Sequence, residues 1–187
     1  MRKLIYYVAT SLDGFIAGPD DAVDFYRQSP ELLAAIFAEY PETCPAHVRE
    51  ALNVSGPARH FDAVIMGRRT QQPALDAGMV TAYPHLDNYV VTSRTDLPTD
   101  PSVTYVGDDP AALVRELKAR DGMDIWLCGG GRTAGTLADE IDELHLKVSP
   151  VLVGAGTPLV EAVGIREFTL ARSRELPDGV LLHIYQR

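Results

Sequence analysis

Three short stretches of the chain place glycine, arginine or hydroxyl residues directly after an apolar run. They are Gly67-Arg68-Arg69-Thr70 after Val64-Ile65-Met66, Thr92-Ser93-Arg94 after Tyr89-Val90-Val91, and Gly129-Gly130-Gly131-Arg132-Thr133 after Ile125-Trp126-Leu127-Cys128. Apolar runs of this length read as buried strands. Glycine at a strand end lets the backbone approach a ligand without a Cβ in the way, and a helix starting there offers amides that lack a carbonyl partner. Phosphate suits such amides. Arg68 or Arg69 adds charge and Thr70 a hydroxyl for a pyrophosphate. Ser93 with Arg94 fits a phosphate monoester such as the 2′-phosphate of NADP, because a hydroxyl and a guanidinium together grip a dianion. Ligands of open α/β sheets lie beyond the carboxyl ends of the strands, so three such ends can serve one extended dinucleotide. The plain alternative at each stretch is a tight turn carrying surface charge.

The rest of the chain must position these stretches. Leu4-Ile5-Tyr6-Tyr7-Val8-Ala9 reads as a first strand buried on both faces, and Thr10 to Asp20 as a loop punctuated by Asp13-Gly14 and Gly18-Pro19. A loop of that length after a first buried strand implies a task. Ser29 caps a helix that Pro30 opens and Pro41 ends, with Leu32, Leu33, Ile36 and Phe37 on its apolar side. Residues 42–60 turn polar and read as an inserted loop with a short helix around Ala46 to Leu52. Strands are expected at Phe61 to Met66, Asn88 to Thr92, Val103 to Val106 and Asp124 to Cys128. Between the last two, Asp109 and Pro110 start a helix that turns Leu113, Val114 and Leu117 inward and stops by Gly122.

A short helix over Thr133 to Glu140 follows, with Gly135 weighing against it. Glu143 to Val148 alternates and suits a strand with one wet face, and Arg166 to Ala171 and Val180 to Tyr185 form a closing pair. Helices and strands alternate first and strands gather last. The pattern means one α/β domain over residues 1–187: a mixed, mainly parallel sheet flanked by helices, antiparallel at its C-terminal edge.

Composition narrows the partners. A net charge of −9, from 26 acidic and 17 basic side chains, speaks against nucleic acid and against an anionic membrane surface. No apolar run approaches the length of a membrane span, and the N-terminus lacks the features of a signal peptide. Cys44 and Cys128 make no C-x-x-C pattern, which points to a cytoplasmic protein without disulfide or zinc. The five histidines have no ligand spacing, so no metal is expected, and no Gly-x-Ser-x-Gly elbow supports a hydrolase. Gly129 to Ala134 satisfies G-x-G-x-x-A, but four strands precede it and too little chain follows for a Rossmann domain, whose fingerprint comes after the first strand.

Taken in order, a set of segments resembles the dihydrofolate reductase-like superfamily. They are Ser11-Leu12-Asp13-Gly14-Phe15-Ile16-Ala17, the three stretches above, Asp142-Glu143-Leu144-His145-Leu146 and Pro150-Val151-Leu152-Val153-Gly154-Ala155-Gly156. The chain more closely resembles the reductase (C-terminal) domain of the bifunctional riboflavin-biosynthesis protein RibD and its stand-alone relatives, over almost its whole length. The resemblance implies an NADPH-dependent reductase acting on a C=N or C=O bond of a small, pteridine- or pyrimidine-like molecule. It implies Ala9 and Ile16 beside the nicotinamide, and Gly67, Arg68, Arg69 and Thr70 with Gly129, Gly130, Gly131, Arg132 and Thr133 around the pyrophosphate. Thr92, Ser93 and Arg94 fall at the 2′-phosphate.

Asp13 and Glu31 are the implied candidates for the catalytic proton donor. Their alternatives are a turn residue before Gly14 and a first-turn helix carboxylate. Riboflavin-pathway members tend to carry lysine where this chain has Tyr7, a basic residue at Phe15 and glutamate at Cys128. Those differences count against 5-amino-6-(5-phosphoribosylamino)uracil as substrate. A protein that binds NADP(H) without turnover is the other reading. A homodimer through the C-terminal part of the sheet is expected, with the strand at Glu143 to Val148 contributing.

Overall fold

The chain forms ten strands and four α-helices in a computed structural model that describes residues 1–187. In chain order these are β1 (Leu4–Thr10), β2 (Phe15–Ala17), α1 (Pro30–Glu39), β3 (Phe61–Gly67), α2 (Arg68–Asp76), β4 (Asp87–Val91) and β5 (Val103–Val106). Then follow α3 (Pro110–Ala119), β6 (Asp124–Gly129), α4 (Gly131–Thr136), β7 (Ile141–Val148), β8 (Thr157–Pro158), β9 (Thr169–Glu175) and β10 (Leu181–Gln186). Eight strands make one sheet in the order β5-β4-β3-β6-β1-β7-β10-β9. Pairs from β5 to β7 are parallel, and β10 runs antiparallel to both β7 and β9. This is the mixed sheet expected from the order of elements.

Both faces are covered. Ile5 and Tyr7 of β1 join Val64, Trp126 and Leu182 under Leu32 and Tyr40, on the α1 side. Leu4 and Tyr6 join Ile65 and Leu127 under Val114, Leu117 and Leu137, on the α3 and α4 side. The caps are as the sequence indicates: the Ser29 side chain accepts from the Leu32 amide, and that of Asp109 from the Ala112 amide at 2.9 Å. No helix is long and apolar enough to cross a membrane.

Four expectations change. The loop after β1 contains β2, which pairs with β8 far along the chain. Residues 42–60 hold only short 3-10 turns, the end of Pro41–Thr43 and then Ala46–Val48, in place of the helix, and the segment is anchored rather than loosely inserted. Its anchor is Glu42, fully buried, whose carboxylate accepts from the amides of Arg59, His60 and Phe61 at 2.9–3.1 Å. The last helix begins at Gly131 and stops at Thr136 rather than covering Thr133 to Glu140. Gly135 belongs in it because a Cβ there would overlap the carbonyl of Glu161, which crosses the helix.

The fourth change concerns β7. It lies between β1 and β10, so the face read as wet is buried: Glu143 and His145 are 6 % and 4 % exposed. His145 bonds Tyr40 Oη at 2.9 Å and Glu143 at 2.8 Å, and Glu143 in turn bonds Lys3. Its interior position leaves β7 no free edge for a partner strand; the sheet's edges are β5 and, at the C-terminal side, β9. Replacing Glu42 by Ala strips three buried amides of their acceptor, so Glu42→Ala should lower unfolding free energy in a denaturant titration by about 3 kcal/mol. A loss below about 0.5 kcal/mol would show that these amides find other partners.

Candidate functional site

β4, β3 and β6 are consecutive and parallel, so their carboxyl ends emerge side by side: Gly67 pairs with Val91 and Met66 with Gly129. α2 leaves β3 directly after Gly67, and α4 leaves β6 after Gly130. A Cβ on Gly67 would stand 2.5 Å from Thr133 Oγ1 and 3.8 Å from the Gly129 carbonyl. One on Gly130 would stand 3.7 Å from Thr70 Oγ1 and 3.8 Å from Ile16 Cδ1. The Thr133 hydroxyl therefore fills the place that a Gly67 side chain would take, whereas side chains at Gly129 and Gly130 would meet Thr70 and Ile16 only at 3.7–3.9 Å, so side-chain bulk is missing between Ile16, Thr70, Gly129 and Gly130. The Gly129–Gly130 peptide is cis.

Gly131 differs from its two neighbours. A Cβ there would overlap the Pro158 carbonyl, and the Gly131 carbonyl accepts from the Glu161 amide at 3.0 Å. Its missing side chain therefore serves chain packing and not access for a ligand. Thr92 continues the β4 edge by donating its amide to Val106 at 2.9 Å and accepting at Oγ1 from the Arg94 amide. Ser93, Arg94 and Arg132 are exposed along the same rim.

The arginines fall into two groups. Arg68 Nε is buried and has no partner. Arg69 pairs with Asp21, with Nε 3.0 Å from Oδ2, and reaches Thr157 Oγ1. Arg94 makes a two-point pair with Asp96 at 2.9 and 2.6 Å, and the Asp96 carboxyl is held down to about 2 by that guanidinium. Two cavities flank the α2 start. One, of about 410 Å³, is polar and includes Asp21, Arg69, Gly156 and Thr157. The other, of about 310 Å³, lies on the α1 side and includes Met66, Thr70, Gln71, Tyr83 and Cys128.

The two carboxylates singled out as acids are not gathered here. Asp13 is a loop clamp: it accepts from Ser11 Oγ at 2.6 Å and from the amides of Val153 and Gly154 at 2.7–3.2 Å. The Ser11 hydroxyl first, and then those amides, hold its carboxyl below the usual range. It is ionised at neutral pH and unsuited to giving up a proton. Glu31 is exposed in the first turn of α1, whose cap Ser29 donates its amide to the Asp178 carboxylate in the β9–β10 turn. That turn lies over β10, three strands along from β6. Ala9 sits at the sheet's carboxyl edge, where its carbonyl accepts from Tyr26 Oη at 3.2 Å.

One group escaped the sequence reading. Lys147 of β7 is the register partner of Ala9, and its Nζ stands 4.0 Å from the centre of the Tyr7 ring. Burial pushes its ammonium down to about 8, with Cys128 the neighbour that opposes the shift. Burial likewise pushes the Cys128 thiol up to about 12. In the sequence Lys147 looks like the outer face of an alternating strand; only its central place in the sheet turns it inward.

The pH behaviour follows from the sign of the shift. The folded lysine titrates near 8 and an unfolded one near 10.5, so between those values the unfolded chain binds more protons and stability rises with pH. Below the folded value the whole cost of holding the ammonium inside is present. Lys147→Met should therefore be more stable than the parent by about 2 kcal/mol at neutral pH, the gain fading as pH approaches the lysine's ordinary value. Equal denaturation midpoints across the range would contradict this.

Comparison with known proteins gives the family and the fold. The family model of the RibD C-terminal domain matches residues 2–182. Two Bacillus subtilis (strain 168) proteins are similar: the uncharacterized protein YwjB is 28% identical over 185 residues, spanning 97% of both chains. The uncharacterized protein YyaP is 27% identical over 187 residues, spanning 98% of this chain and 94% of its own. Among solved structures, a Shewanella sp. PV-4 protein provisionally assigned to riboflavin biosynthesis superposes with a TM-score of 0.76 at 24% identity, over 100% of this chain and 99% of that one. The Thermotoga maritima diaminohydroxyphosphoribosylaminopyrimidine deaminase/5-amino-6-(5-phosphoribosylamino)uracil reductase superposes at 0.63 and 16% identity, over 99% of this chain but 56% of that one.

Proposed function

Because the chain belongs to the RibD C-terminal domain family and has its dihydrofolate reductase-like fold, we propose that it is a reductase that binds NADPH along the carboxyl ends of β4, β3 and β6. The observation that carries the reading is the space beside Gly129 and Gly130, between Thr70 and Ile16, where no side chain stands between the backbone and a ligand. A second feature fits the same cofactor. Arg68, which directly follows Gly67, keeps a buried Nε without a partner, a donor that a phosphate oxygen would satisfy.

Each residue has a defined share. The first-turn amides of α2, with Thr70 and Arg68, hold the pyrophosphate. Gly129, Gly130 and Thr133 form the facing wall, Gly131 and Arg132 its rim, and Ala9 and Ile16 border the nicotinamide. Arg69 is occupied by Asp21 and Arg94 by Asp96, so both guanidiniums must exchange a carboxylate for a phosphate. These pairs are exposed and individually weak, and a dianion competes well against them. Ser93 and Arg94 then select the 2′-phosphate. NADPH supplies a hydride when bound; the chain orients it toward a C=N or C=O bond and keeps water out.

The two solved neighbours favour a related reading, reduction of an aminouracil as in riboflavin biosynthesis. Against it, Tyr7 is buried under Tyr40 at 4.2 Å between ring centres, and Cys128 is a neutral thiol, so neither provides a charge for a phosphoribosyl group. The substrate therefore belongs to the wider class of flat, unsaturated small molecules. Binding without turnover is the reading that remains if no acid serves the site. A homodimer would use the exposed β9 edge, where Leu170 faces solvent.

Trp126, buried next to Cys128 and bonded to the Tyr7 carbonyl at 2.9 Å, gives a direct readout. Its emission should respond to NADPH at concentrations at least about tenfold lower than to NADH, and Arg94→Ala should remove most of that preference while leaving NADH unaffected. Equal responses to both nucleotides in the parent chain would refute the assigned 2′-phosphate site, and no response to either would refute the cofactor.

A further inference from the structure

We infer that Lys147 is the catalytic acid of this site, giving its proton to the nitrogen or oxygen of the bond that is reduced. The inference rests on the NADPH reading above. Its starting point is position: Lys147 is paired through the β1–β7 register with Ala9, which borders the proposed nicotinamide site. Its nitrogen lies over the Tyr7 ring on the same face of the sheet as Cys128, which lines the 310 Å³ cavity.

The second observation is isolation. The chain has three lysines; Lys3 pairs with Glu143 and Lys118 with Asp142, whereas Lys147 has no carboxylate partner and no hydrogen bond. Nor is a compensating charge hidden nearby. Tyr7 of β1 faces it as a ring and is neutral, its hydroxyl pushed far up by burial. Cys128 of β6 and Tyr83 behind it are likewise held neutral by burial. On its own strand His145 is held in its uncharged form, mainly by desolvation, and Glu143 is bound to Lys3 and His145. From α1, Glu39 is directed to Arg172 and Arg174 of β9, and the β10 partner is apolar Leu182. An ammonium kept inside without a counter-ion is easily persuaded to lose its proton.

The chemistry balances. Hydride adds to the carbon of the C=N or C=O bond, and the bond's electron pair moves to the heteroatom. The heteroatom forms a new N–H or O–H bond as the Nζ–H bond of Lys147 breaks, its electron pair staying on nitrogen. The neutral amine then takes a proton from water. Charge is conserved locally, because Lys147 loses its positive charge as the nicotinamide ring gains one. Two adjacent cations would oppose hydride transfer, and proton donation from Lys147 removes that opposition. Its titration near 8 leaves the acid form dominant at neutral pH yet willing to react.

That coupling can be read without any substrate. Lys147 should shed its proton when the positively charged ring of NADP+ is bound, and should keep it with NADPH, which carries the same 2′-phosphate. Calorimetric titration of the full chain at about pH 7.5, in PIPES and in Tris, counts the protons released. The expected result is about half a proton per NADP+ bound, near zero for NADPH, and near zero for both in Lys147→Met and Lys147→Arg. In the parent chain, the ¹³C signal of reductively methylated Lys147 should move its midpoint down by about one pH unit with NADP+ and much less with NADPH. Binding of both nucleotides with equal proton counts, or release that persists in Lys147→Met, overturns the role of Lys147 and leaves the cofactor reading intact. No binding of either nucleotide overturns both.

Discussion

The crossing of the segment Thr157 to Glu161 over α4 is the contact on which the rest of the site depends. The Pro158 and Glu161 carbonyls lie where side chains at positions 131 and 135 would be, so the helix there can be made only with glycine. The same segment supplies β8 to β2, accepts a bond from Tyr6 Oη at the Leu159 carbonyl, and binds the Gly14 carbonyl through the Leu159 amide. One short crossing therefore fixes the loop after β1 against the loop after β6. Ile16 and Gly130 are neighbours because their two loops are tied to this common strap. The helix is locally unfavourable by sequence, with glycine at both ends of one turn, and tertiary packing holds it.

Charge is arranged around that frame in a way that suits an acidic protein handling an anion. The net charge is −9, yet the rim of the three strand ends carries Arg68, Arg69, Arg94 and Arg132. Asp21 and Asp96 pair with two of these guanidiniums, which lowers the net positive charge of the rim. The α1 side of the sheet is, by contrast, poor in charge. Tyr7, Tyr83, Cys128 and Met66 make an apolar wall, and Lys147 is its one cation. A low-dielectric wall with a single ionisable group gives that group influence that it would not have in water.

Much of the frame is legible in the sequence. The unbroken apolar runs of β1, β3 and β6 announce a parallel centre, and the Ser29-Pro30 and Asp109-Pro110 pairs announce two helices at their true starts. The glycine and arginine junctions at Gly67 and Gly129 stand beside each other, as strand ends in such a sheet must. Three features could not be read locally. Glu42 looks like a surface residue because its partners are amides 17 to 19 positions on. Glu143, His145 and Lys147 look solvated because alternation reports a difference between two faces and not whether helices cover both. Gly131 and Gly135 look like helix breakers because the carbonyls that need the space belong to a segment later in the chain. The clamp made by Asp13 is hidden in the same way, since the amides it binds lie 140 and 141 residues away.

The central claim is that three strand ends form one nucleotide site. Amide chemical shifts of the full chain during NADPH titration test it most directly. Amides of Gly67 to Thr70, Thr92 to Arg94 and Gly129 to Thr133 should move together along one saturation curve, with residues of the distant Glu42 anchor unmoved. A response confined to one of the three junctions, or three junctions that saturate at different concentrations, would contradict it.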